Sequence, residues 1–72
     1  MAPYYLIIIQ NYTIPAIYSY DDYDALMVRF HTELAYRHED RTSTVCIVLD
    51  NKGNEMRRDW YEKPEEEVTE NA

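Results

Sequence analysis

The side chains able to run a reaction are few in this chain, and their spacing limits what they can do. His31 and His38 stand seven positions apart. Along one helix that is about 10.5 Å of rise, too far for a shared metal ion without a ligand from a third element. The i+4 partner of His31 is Ala35, so the usual helical ligand pair is absent. Both histidines are expected at a solvent edge, with no metal. Asp21, Asp22 and Asp24 form a local acidic cluster. A calcium loop would need further ligands at fixed spacing and a turn glycine. The cluster fits a helix start better, where carboxylates cap orphan N–H groups and favour the positive end of the dipole. Cys46 is the only cysteine, so no intrachain disulfide can form. It sits in an apolar run with no nearby His or Lys to lower its pKa, and reads as a small buried hydrophobe.

Asp50, Glu55, Asp59 and Glu62 supply carboxylates near a predicted hairpin. Paired carboxylates run glycosidase chemistry when a cleft holds them at a set distance. A small, flat sheet offers little room for such a cleft, and no Ser/His/Asp or Cys/His arrangement is suggested. The expectation is a non-enzymatic protein without a cofactor. Arg57-Arg58 beside Trp60-Tyr61 is the one basic-aromatic combination. Exposed aromatics on a sheet can stack unpaired bases. Strand alternation sends the two arginines to opposite faces, however, and the net charge is −7, with 14 acidic against 7 basic residues. That balance argues against direct binding of nucleic acid or of an anionic membrane. It favours solubility and permits attraction to a basic partner. Spread over a surface, the same acids could imitate phosphates and occupy a nucleic-acid site on a basic protein.

The elements that position these groups follow from pattern. The opening stretch YYLIIIQN is apolar on both strand parities. It predicts a strand over Tyr4–Gln10. Asn11-Tyr12-Thr13 is a turn candidate, and its match to a glycosylation sequon is read as chance. Ile14–Tyr20 reads as a second strand. Pro15 lacks an N–H, which places that strand at a sheet edge or starts it after the proline. A helix is predicted from about Asp22 to about His38. Tyr23, Leu26, Met27, Phe30 and Leu34 share one face of it, and Arg37 and His38 lie in its last turn. Thr42–Asp50 is a third strand. Asn51–Asn54 is a turn around Gly53, the only glycine. Glu55–Glu62 is a fourth strand.

The predicted fold class is α+β: a ββαββ domain over residues 1–63, with one helix on a four-stranded antiparallel sheet in the order 2-1-3-4. Residues 64–72 are expected to be a disordered acidic tail. No positively charged leader region precedes the Leu6–Ile9 run, which is too short for a signal-peptide core or a membrane span, so a cytoplasmic setting is expected.

A domain of 72 residues is marginally stable without a supplement such as a metal, a disulfide or self-association. One helix covers one sheet face. The alternation of β-strand residues puts Val45, Ile47 and Leu49 on one side and Cys46 and Val48 on the other, and the first set is expected beneath the helix. For the first strand, Leu6 and Ile8 oppose Tyr5, Ile7 and Ile9, and either set could lie on the open side. The candidate contact surface is Leu6, Ile8, Tyr18, Cys46, Val48 and Tyr61. Either tyrosines and the long stems of Arg57 and Arg58 partly cover it and the rest is tolerated, or its occupant is a second copy of the chain or another protein. An occupant is the expectation adopted. The eight tyrosines fit such a use, since tyrosine is enriched at interfaces.

The stretch FHTELAYRHEDRTSTVCIVLD, Phe30 to Asp50, together with YYLIIIQN, resembles short proteins of gut Firmicutes and of their prophages or other mobile elements. That group has no assigned activity. The resemblance implies a bacterial, cytoplasmic setting and an origin on a mobile element, where small proteins often act by binding a host or viral protein. The functional expectation is therefore a small acidic interaction module. The alternative is an acidic inhibitor that mimics nucleic acid.

Overall fold

Two tight turns and one helix set the chain path. The computed structural model describes residues 2–37 and 39–64. The elements are β1 (Tyr4–Gln10), β2 (Ala16–Tyr20), α1 (Tyr23–Ala35), β3 (Ser43–Leu49) and β4 (Glu55–Glu62). They make a four-stranded antiparallel sheet in the order β2-β1-β3-β4, an α+β fold with the strand order expected. The predicted acidic tail beyond Pro64, like His38, lies outside the described residues. Among the described residues no helix is long and apolar enough to cross a membrane.

Local chemistry explains each boundary. Asn11 and Tyr12 both take positive φ, 53° and 59°, and the Thr13 N–H donates to the Gln10 carbonyl at 3.0 Å. These two residues make a tight turn at the start of the connection from Gln10 to Ala16, and asparagine tolerates positive φ best among non-glycine residues. β2 begins only after Pro15 and occupies the sheet edge. Asp22 caps α1 by accepting the Asp24 N–H at 3.0 Å.

The helix stops at Ala35, three residues short of the sequence expectation. Its 13 residues span about 20 Å, close to the length of the seven-residue central strands, so a longer helix would overshoot the sheet. Arg37 lies past the helix but still serves its C-terminus, donating to the carbonyls of Leu34 and Tyr36. At the β3–β4 turn, Gly53 has φ 86°. The Asp50 carboxylate accepts the N–H groups of Lys52 and Asn54 at 2.9 and 2.8 Å.

The core lies between α1 and one face of the sheet. Leu26 and Phe30 come down from the helix onto Leu6, Ile8, Cys46 and Val48. Tyr4, Tyr20, Tyr23, Met27 and Leu34 pack around this cluster. The inward helix face is thus the one expected, and the sheet face beneath it is the opposite of the expected one. Cys46 and Val48, not Val45, Ile47 and Leu49, are buried there. Two physical reasons favour this parity. The helix contributes the bulk, so the sheet answers it with small Thr44 and Cys46. The same parity also carries Gln10 and Thr44 to the helix end. There Gln10 Nε2 donates to Glu33 at 3.2 Å, and Arg41 bridges Glu33 at 3.5 Å and the Thr44 hydroxyl at 3.2 Å. With the other parity those polar groups would lose these partners.

Candidate functional site

The parity decides which residues are available to a partner. Leu6, Ile8, Cys46 and Val48 are core residues with at most 2 % of their surface exposed. Tyr18 and Tyr61 share their face. Tyr18 is paired with Leu6 and Tyr61 with Thr44. Arg29 lies over the Tyr18 ring at 4.6 Å and Arg37 over the Tyr61 ring at 3.6 Å. All six expected contact residues are therefore on the helix-covered side, and four of them are sealed inside it. Burial, the largest cause, pushes the Cys46 thiol up to about 11, which keeps it protonated and inert.

The helix-free side is built from the other parity, in three cross-strand rows. The middle row runs Ile17, Ile7, Ile47 and Arg58. Beside it lie Ile9, Val45 and Trp60. On the other side lie Ser19, Tyr5, Leu49 and Glu55. The central members are half-buried only by their neighbours, while Ile17 and Trp60 at the flanks are 65 % and 64 % exposed. Nothing among the described residues lies over this surface. Sequence reasoning found that a doubly apolar sheet leaves one face uncovered, but assigned the wrong parity to it. The signal that identifies the correct one is polar: Gln10 and Thr44 need partners that only the helix end supplies.

The charges on this face are few and paired. Arg58 Nη2 contacts Glu55 Oε1 at 2.9 Å. The hydrogen bond between them raises the arginine pKa and lowers that of the carboxylate. At the far end the Tyr12 hydroxyl donates to Glu62 Oε2 at 2.7 Å, and this bond holds the tyrosine pKa up. The Ser43 hydroxyl is buried and makes no hydrogen bond among the described residues.

The remaining candidates are structural. His31 stands at the helix surface with its ring edge-on to Phe30 at 5.3 Å. No set of three or more His, Cys, Asp or Glu among the described residues is arranged to hold a metal ion, and no pocket opens among them. Asp22 and Asp50 act as caps, as above. The Asn11 amide is likewise engaged within the chain. Its oxygen accepts the Thr42 N–H at 2.7 Å, and its nitrogen donates to the Asp40 carbonyl at 2.9 Å.

Comparison with protein-family models, with curated proteins and with solved structures finds no match to this chain.

Proposed function

We propose that this chain is a non-enzymatic interaction module that contacts a protein partner through the helix-free face of its sheet. One observation carries the reading. Aliphatic side chains from three strands form adjoining rows on that face, and among the described residues no other element covers them. Contiguous apolar surface of this kind is a common mark of an interaction site. Each Å² of it covered by a partner contributes about 25 cal/mol. Trp60 adds a large amphipathic ring at the margin, the residue type most enriched among interface hot spots. The face has little net charge of its own, with Arg58 matched by Glu55. Most of the acidic residues among those described stand elsewhere and do not oppose an apolar contact. The resemblance to short mobile-element proteins points the same way, toward action by binding in a bacterial cytoplasm. The rival reading, an acidic mimic of nucleic acid, draws on fewer free acids than composition suggested. Asp22, Asp50, Glu33 and Glu55 are already engaged within the fold.

The test is site-specific photocrosslinking in the native host, with the photoreactive residue at position 47. Capture of one partner should be lost on Ile7→Glu and on Trp60→Ala. It should survive Val28→Glu on the exposed side of the helix. Equal loss with all three variants, or no loss with the first two, overturns the reading. Light scattering on the purified chain tells whether that partner is a second copy.

A further inference from the structure

The two edges of the sheet are guarded very differently. Hydrogen-bond parity shows which groups point outward. The Lys63 N–H donates to the Thr42 carbonyl at 2.8 Å, so the odd-numbered residues of β4 face β3. Arg58, Trp60 and Glu62 then present their backbone groups to the outside. This edge is well protected. The strand is densely charged, its pairing with β3 is irregular at Val48/Leu49, and the outward Trp60 N–H is occupied by Asp59 Oδ1 at 2.8 Å. Charges and bulges are the usual means of preventing edge pairing.

β2 has none of these guards. The Asn11 N–H donates to the Ser43 carbonyl at 2.9 Å. Odd residues of β1 therefore face β3, its even residues face β2, and the even residues of β2 face back. Ile17 and Ser19 are left with outward N–H and C=O groups that no strand among the described residues pairs with. From Asn11 to Tyr20 the sequence contains no Asp, Glu, Lys or Arg. Only Pro15, just before the strand, limits pairing.

We propose that two copies of this chain pair antiparallel through β2, with the two-fold axis at Tyr18, to form one continuous eight-stranded sheet. This register opposes Ile17 to the partner's Ser19 and Ser19 to the partner's Ile17, so every outward donor and acceptor of both residues is satisfied. It places Ala16 against the partner's Tyr20, small against large, on the helix side. Tyr18 meets its own copy, each ring already carrying Arg29, whose charge is matched by Glu33 at 2.9 Å. Pro15 falls opposite the partner's Asp21 and ends the pairing at the five residues of β2.

For two copies, charge favours this antiparallel orientation over a parallel one. The acids nearest to β2 in sequence, Asp21 of each copy, end about 20 Å apart, some two Debye lengths at ordinary salt. A parallel pairing would bring them together. The segment after Pro64 is a poor chemical match for this uncharged edge, being rich in glutamate. This edge contact is independent of the helix-free face, which it would extend across both copies. A contact confined to the five residues of β2 falls short of the about 20–30 residues a side of stable complexes, so it holds only at high concentration.

The experiment is sedimentation combined with amide hydrogen exchange on the intact chain up to about 1 mM, where contacts worth roughly 4 kcal/mol are populated. The apparent mass should rise from 8.7 kDa toward twice that value. The Ile17 and Ser19 amides should slow by about tenfold or more over the same range, as expected for newly bonded amides. Ser19→Pro removes an N–H that points away from β1 and should abolish both effects. Ile17→Lys, a charge at the edge, should do the same. Ile47→Glu should leave the amide protection intact, which separates edge pairing from contact through the face. A chain that stays monomeric throughout overturns the proposal. So does a dimer in which the Ile17 and Ser19 amides exchange freely.

Discussion

Ile7 and Ile47 lie directly opposite each other on the two central strands, on the side of the sheet that carries no helix. One position along each strand, Ile8 opposes Cys46 in the closed core beneath α1. The two isoleucine positions in β1 are adjacent in sequence and alike in chemistry, yet they face different surroundings.

That contrast gives the first prediction. Ile8→Glu places a carboxylate in the core at a cost of several kcal/mol. A domain of this length has about 4–11 kcal/mol to lose, so the variant should show no cooperative thermal transition. Ile7→Glu should keep a cooperative transition and native circular dichroism, and should lower binding of an apolar-surface dye. If Ile8→Glu folds and Ile7→Glu does not, the parity is inverted.

Cys46 tests the same burial by chemistry. Its thiol is raised to about 11 by burial. A thiol reagent at pH 8 should label native protein far more slowly than a free thiol, at a rate that rises with denaturant as the core opens. Native labelling as fast as that of a small-molecule thiol would show that the helix does not seal this face.

The outcome at these positions shows what could be read from the residues. Strand order followed from composition, because the most apolar strands must be central and Pro15 must stand at an edge. The helix face followed from the spacing of Tyr23, Leu26, Phe30 and Leu34. The parity of β3 did not follow, because counting aliphatic atoms favours Val45, Ile47 and Leu49. Helix bulk and the polar needs of Gln10 and Thr44 decide otherwise, and both act between elements far apart in sequence. The Asp59 guard on Trp60 was likewise hidden, since only strand pairing reveals which N–H groups point outward.

Asn11 joins local backbone and tertiary contact. It holds a positive φ of 53° while its side chain ties down Thr42, Ser43 and Asp40. Asn11→Ala loses both and should cost about 2–4 kcal/mol. Asn11→Gly keeps the backbone conformation and loses only the hydrogen bonds, so it should cost less. Chemical denaturation of the two variants checks the order, and equal losses would mean that the backbone conformation contributes nothing.

Asp50 gives a pH dependence of fixed sign. Backbone N–H groups of Asn54 and Lys52 lower its folded pKa below the ordinary carboxylate value. The stabilisation is therefore complete above the unfolded pKa, about 3.9, and is lost as pH falls through the folded value. Asp50→Asn keeps the shape and removes the charge. The difference in Tm between wild type and Asp50→Asn should be positive at pH 6 and shrink toward zero as acid titrates the native carboxylate. A difference that is constant from pH 6 to 2 would show that the charge is not involved.

The last prediction concerns the guarded edge. Asp59 contributes a negative charge to β4 and occupies the outward N–H of Trp60. Asp59→Ala removes both, leaving an unsatisfied donor in the middle of an edge strand, the condition under which strands recruit one another. In a Ser19→Pro background, where pairing through β2 is silenced, Asp59→Ala should restore concentration-dependent association and bring protection to the Trp60 amide. Asp59→Asn keeps an acceptor in place and should associate less. If Asp59→Ala stays monomeric with a freely exchanging Trp60 amide, the remaining charges and the irregular pairing at Val48/Leu49 suffice to close that edge. Asp59 would then be a local cap on one N–H group and not a barrier to association.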